Sequence, residues 1–315
     1  MTLSGEAFAL LAAVFFAGSG VAVAKGVAHG GRHGDHGALL SILITVIMAA
    51  AIWLATSDGG AVAGSGSALY WGIWWFAVSG VLTVFLGRTL LYQSIASVGA
   101  IRASMLLRLN PFFSVLLAAV ILGEAISGTA GSGMLLILLS FGLLLQRTFG
   151  RASAEGARPP THDAGSLPAR PSPLDYAYGP ASAFSYALGN VARKHALIIV
   201  PDSNFGTLIS ALAGLVSFAV SALFVPRYRV AFLGIFRKTS RWQVAAGICA
   251  SAGQLSQFAA IKHIEVSRAV MISSSEIFLS MFLAIYVLKT EKRPDAVTLG
   301  AAAMAMLGVV LVAAG

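Results

Sequence analysis

The sequence predicts an all-α membrane protein of ten transmembrane helices, arranged as two inverted five-helix repeats. Three observations carry that prediction. The 315 residues are 57% hydrophobic and only 10% charged, with a mean hydropathy of +0.84, far from the composition of soluble domains. The apolar residues gather in runs of roughly 20, the length that crosses about 30 Å of hydrocarbon. The chain is also written twice: I-A-S-V-G-A-I-R-A from Ile95 returns as I-K-H-I-E-V-S-R-A from Ile261. At this offset of 166, Arg102 falls on Arg268, Met105 on Met271, Phe112 on Phe278 and Ser114 on Ser280. A second match, at offset 169, sets Gly20 on Gly189 and Lys25 on Lys194.

The first run, 5–27, lacks a basic n-region and is as long as the later ones, so it reads as a retained helix. The second run covers 38–56. The third, 69–94, opens with Tyr70, Trp71, Trp74 and Trp75, residues suited to the interface. The fourth, 98–122, holds Pro111, which removes a backbone bond near the Leu107 carbonyl and predicts a kink. The fifth, 130–149, closes the first repeat (1–149). Residues 150–174 are rich in Pro, Gly and Ser and form a flexible linker. The second repeat (175–315) contains runs at 176–199, 205–225, 241–262, 265–288 and 295–314, with a polar loop at Pro226–Ser240. Gly18, Gly20, Gly131, Gly133, Gly300 and Gly308 suit close helix packing.

Five spans per half is an odd number, so the halves insert in opposite senses. The net charge of +9 reflects loop residues, and these lie on one side. Arg32, Arg151, Arg158, Arg170, Arg227, Arg229, Arg237, Lys238, Lys289, Lys292 and Arg293 all fall on the linker side. The loops at 57–68, 123–129, 200–204 and 263–264 hold no Lys or Arg. Basic loops stay cytoplasmic, which places the linker inside and both termini outside.

The segment L-Y-Q-S-I-A-S-V-G-A-I-R-A-S-M-L-L-R-L-N-P-F-F-S-V-L-L-A-A-V-I-L-G-E-A-I-S (Leu91–Ser127) resembles the EamA module of the drug/metabolite transporter superfamily. The features that match are a short turn after the third span, Arg-Ala entering the fourth, mid-helix Pro111, and Leu122-Gly123-Glu124 closing it. The second half keeps Arg268-Ala269 but has Glu276-Ile277 for Asn-Pro and Lys289-Thr290-Glu291 for Leu-Gly-Glu. The resemblance implies ten helices, an inverted repeat and a central cavity serving small metabolites or drugs, often for export. Such proteins usually look N-terminus-inside, the reverse of the charge reading here.

Charged groups at mid-membrane cost about 2.5–3.5 kcal/mol on insertion scales, so each needs a reason. Glu276 stands about 15 Å into the ninth span, near the midplane, and its repeat counterpart Asn110 sits at similar depth in the fourth. Arg108 lies two residues before Asn110. Polar groups facing each other from repeat-related helices are what a substrate or proton site requires, and Glu276 is the candidate for proton coupling. A static Glu276–Arg108 ion pair, or Glu276 bonded to Ser273 or Ser280, is the structural alternative. Arg88, with Tyr92 one turn beyond, and Gln254, which matches Arg88 at offset 166, are candidate cavity residues. So are Asn190 and Arg193, one turn apart. Lys25 and Lys194 occupy equivalent places near their span ends, where they either snorkel to headgroups or meet substrate. Arg102 and Arg268 more simply anchor the helix starts.

Much is excluded. Cys249 stands alone, so no intrachain disulfide forms. Nothing resembles a Walker A loop, an aromatic-rich basic nucleic-acid surface or a clustered catalytic set, so neither an enzyme nor a cofactor is expected. His29, His33, Asp35 and His36 fall within one loop, but its glycines and its lack of a counterpart in the second half leave no metal assigned. The function expected is a secondary-active exporter of a small metabolite or drug, with amino acids and organic acids as the candidate substrates. It would be a multi-pass protein of the bacterial inner membrane, partnered by lipid and compatible with a homodimer. A lipid-handling flippase and a non-transporting scaffold are the alternatives.

Overall fold

The computed structural model describes residues 4–28, 35–56, 66–98, 103, 106–154, 174–234, 239–283 and 296–314, and the regular structure among them is helical throughout. In the first half these are α1 (Gly5–Ala28), α2 (Asp35–Thr56), α3 (Ser67–Gly80), α4 (Arg88–Val98), α5 (Asn110–Leu117) and α6 (Gly128–Ala154). In the second half they are α7 (Tyr178–Ile199), α8 (Ser203–Phe224), α9 (Pro226–Gly234), α10 (Arg241–His263), α11 (Val266–Ser273), α12 (Glu276–Phe282) and α13 (Ala296–Ala314). A π turn, Val81–Gly87, joins α3 to α4 without a break, and a second, Ala118–Leu122, extends α5.

Among the described residues, five helical stretches are long and apolar enough to cross a membrane: Gly5–Val23, Gly37–Thr56, Ser67–Leu91, Ser203–Phe224 and Arg241–His263. Asn110–Leu122, Gly128–Leu143 and Leu299–Ala314 are apolar but shorter. Five of the ten expected spans thus stand as long apolar helices among the described residues, and three of the others have a visible feature that sets them apart. The fourth and ninth runs are each broken near the middle, and α7 carries Asn190, Arg193, Lys194 and His195. Apolar side chains such as Leu10, Val14, Ile47, Leu135, Val216 and Val310 face outward, as a lipid-facing surface requires. Tyr70, Trp71 and Trp74 are exposed, whereas Trp75 turns inward and meets His195 edge-on at 4.7 Å.

The packing repeats itself. Helix α1 packs most extensively on α10, and its counterpart α7 packs on α3, the π turn and α4. Helix α2 meets α10 just as α8 meets α3, while α2 with α8 and α6 with α13 pair across the halves. Exchanging the halves maps these neighbours onto themselves. Close approach makes the α6–α13 crossing: a Cβ on Gly133 would lie 2.5 Å from the Gly308 carbonyl oxygen, and one on Gly308 would lie 2.7 Å from the Gly133 oxygen. Gly80 similarly abuts the backbone of Ser210, whose hydroxyl donates to the Phe76 carbonyl at 2.8 Å. Gly20 and Gly300 have no such neighbour within 4 Å.

The loop expected at Pro226–Ser240 contains α9 instead. Arg229 turns it back onto α8, donating to the carbonyls of Ala222 and Leu223 at 3.3 and 2.9 Å, where the last turn of α8 leaves acceptors unsatisfied.

Candidate substrate cavity

Both expected midplane residues stand at a helix break. In the first half the chain turns at Arg108–Leu109 and α5 restarts at Asn110, with Pro111 in its first turn. Proline suits that position because its missing N–H is unneeded there. In the second half the turn falls at Ser274–Ser275 and α12 restarts at Glu276. At offset 166 the breaks coincide, yet the second has no proline. Serines take its place: Ser273, Ser274 and Ser275 each donate a hydroxyl at 2.7 Å to a carbonyl of α11, those of Ala269, Val270 and Ile272. Side chains that bond the preceding turn offer the backbone an alternative to continuing the helix.

The two breaks face one cavity of about 420 Å³. Arg108 and Asn110 line it from the first half, and Ser273, Ser274 and Glu276 from the second. Arg108 donates to Glu276 across the boundary at 3.2 Å, both side chains about one-third exposed. The Asn110 side chain accepts from Ser114 at 3.1 Å. Arg88 also lines the cavity, held against α2 by bonds to the Ser41 hydroxyl at 2.6 Å and the Ala38 carbonyl at 3.3 Å. Asn190 and Arg193 line it from α7, and Gln254 and Gln257 from α10. The π turn adds Thr83 and Val84. Its carbonyls at Leu82 and Gly87 accept from Ser185 and Ser182 of α7 at 2.8 and 2.7 Å, as befits a widened turn whose bonds need outside partners.

Of the residues named from sequence, Glu276, Asn110, Arg108, Arg88, Gln254 and Asn190 come together here. Lys25 and Lys194 are not among the lining residues. Lys25 sits 4.9 Å from the centre of the Trp242 ring. Lys194 donates to the carbonyls of Ile261 and Ile264 at 2.9 and 2.8 Å, holding the end of α10. Tyr92 is on α4, but its side chain lies outside the described residues, as do Arg102 and the loop side chains of His29–His36. Among the described residues no group of His, Cys, Asp and Glu is placed to hold a metal. Sequence reasoning missed Gln257, Thr83, Tyr186 and Phe16. Gln257 is one turn from Gln254 in an apolar helix, and that spacing was the available signal.

At one end of the molecule polar contacts tie the halves together. Glu124 accepts from the backbone N–H groups of Val266 and Ser267 at 2.7 and 3.0 Å, and from the Ser267 hydroxyl at 2.7 Å. It thus caps α11, where free N–H groups and the helix dipole favour an anion. Arg268 pairs with Glu6 at 3.5 Å and donates to the Ala313 carbonyl at 3.1 Å. Trp53 donates to Asp202 at 3.2 Å on the same side.

The EamA-like transporter family model matches residues 3–146 and again 176–314. The chain belongs to the EamA-like transporter family. It is therefore a multi-pass integral membrane protein whose family function is transport of the drug/metabolite type. One solved structure, described as "Crystal structure of protein", shares the fold at a TM-score of 0.69 and 17% identity, over 98% of this chain and 96% of the other. No curated protein matches the chain significantly. The paired EamA matches fall on the same two halves whose helix breaks meet at the cavity.

Proposed function

We propose that this protein is a secondary-active exporter of a small metabolite or drug, working by alternating access in a bacterial inner membrane. In this reading its helices form ten spans in two inverted repeats, with the broken helices completed as spans by their own halves. The observation that carries the reading is the meeting of Asn110 and Glu276, repeat-related restart points of two broken helices, at one cavity. Discontinuous helices at an interface between repeats place polar groups and helix ends at substrate depth. In this reading the ties through Glu124 and Arg268 hold one end of the cavity closed, and rocking of the halves would break them while closing the other. Arg108 and Glu276, about one-third exposed and paired, supply a charge pair that substrate or a proton can open.

The test is reconstitution of the purified full-length protein into liposomes, with flux measured for solutes chosen by metabolite profiling of cells with and without it. Saturable flux of a small solute is expected. Phospholipid scrambling without solute flux would instead identify a flippase, and neither activity a scaffold.

A further inference from the structure

Arg193 is the largest fully buried side chain among the described residues, 1% exposed, and it lines the cavity. One face of its guanidinium rests on Phe258, 3.8 Å from the ring centre. Its Nε and Nη1 have no hydrogen-bond partner among the described residues. A buried cation left without an anion costs several kcal/mol, and cation–π contact returns only about 2 kcal/mol even when desolvated. Among the described residues the cavity offers no free anion to close this deficit. Three arginines line it against one glutamate, and that glutamate, Glu276, is engaged by Arg108.

We infer that Arg193 is the anchor for a carboxylate on the transported solute, an assignment that rests on the transporter reading above. The guanidinium matches a planar carboxylate through two parallel bonds, from Nη1 and Nη2 or from Nε and Nη2, and the Phe258 stack covers one face without blocking these in-plane donors. Asn190, one turn before Arg193, adds an amide on the same face of α7. Gln254, one turn before Phe258, adds another from α10. A single guanidinium flanked by neutral amides fits a monoanion. A phosphate dianion calls for a second cation at the same point; Arg108 is paired with Glu276, and Arg88 is held against α2 by Ser41 and Ala38.

The experiment compares acids with their own primary amides, which differ in charge and little else. Thermal unfolding of the purified full-length protein is followed with propionate against propionamide, benzoate against benzamide, and leucine against leucinamide. At least one acid is expected to raise Tm where its amide does not. Arg193→Gln should abolish that difference, and Arg193→Lys should keep it in weakened form. The inference is overturned if amides stabilise as well as acids, if no acid in the panel stabilises, if chloride alone does so, or if Arg193→Gln retains the preference. Should Arg193→Gln fail to fold, the wild-type comparison and Arg193→Lys still decide. Liposome flux confined to neutral or cationic solutes would remove the carboxylate anchor and leave the transporter reading standing. Acid binding without flux would do the reverse.

Discussion

Arg193 and Lys194 are neighbours in the chain with different surroundings, because successive residues on a helix point about 100° apart. Arg193 lies over Phe258 at the cavity, while Lys194 reaches the end of α10. The repeat singled out Lys194 through its match with Lys25, but a shared register records ancestry and helix position, not which face meets the cavity. Glu276 carries the clearest prediction at this scale. Glu276→Gln keeps the shape and the hydrogen bond to Arg108 but cannot trade a proton. Its stability should therefore change by less than about 1 kcal/mol, since a part-exposed pair contributes little, while the pH dependence of transport should flatten. Liposome flux across a pH series measures this, and wild-type rates for Glu276→Gln at every pH would remove proton coupling.

Among the elements, α11 depends on an anion from the other half. Each charge-assisted bond to Glu124 is worth about 1.5–3 kcal/mol, so Glu124→Ala should lower Tm and loosen the tied end. Cysteine labelling should detect the second effect: a Ser267→Cys probe should react with a maleimide faster in the Glu124→Ala background, and equal rates would show that Glu124 does not hold this end closed. The α6–α13 crossing is set by close backbone approach. Gly308→Val should force these helices apart and cost about 1–3 kcal/mol by overpacking, read as a loss of Tm. Gly300→Val, with no neighbour within 4 Å, should be nearly neutral in the same assay.

For the whole molecule, topology is the property where charge distribution and family habit disagree. Lys and Arg in the loops lie on the linker side, and short basic loops resist translocation against the membrane potential. The termini are therefore expected outside and the linker inside, so that the end tied by Glu124 and Arg268 is the outer one. A fluorescent protein fused at Gly315, which folds only in the cytoplasm, should stay dark in cells carrying the full-length inserted fusion. Bright cells would restore the opposite orientation.

Membrane character, the duplication and the repeat correspondence of Asn110 and Glu276 were legible in the sequence because they depend on composition, period and count along the chain. Pro111 announced one helix break by its chemistry. The matching break at Ser274–Ser275 was harder to read, since serines bend a helix only when their hydroxyls turn back onto its carbonyls. Which polar residues share a cavity was decided by tertiary structure alone. In spans that are apolar on nearly every side, periodicity does not set helix rotation, and rotation is what brings Arg193, Gln257 and Glu276 to one space while carrying Lys25 and Lys194 away from it.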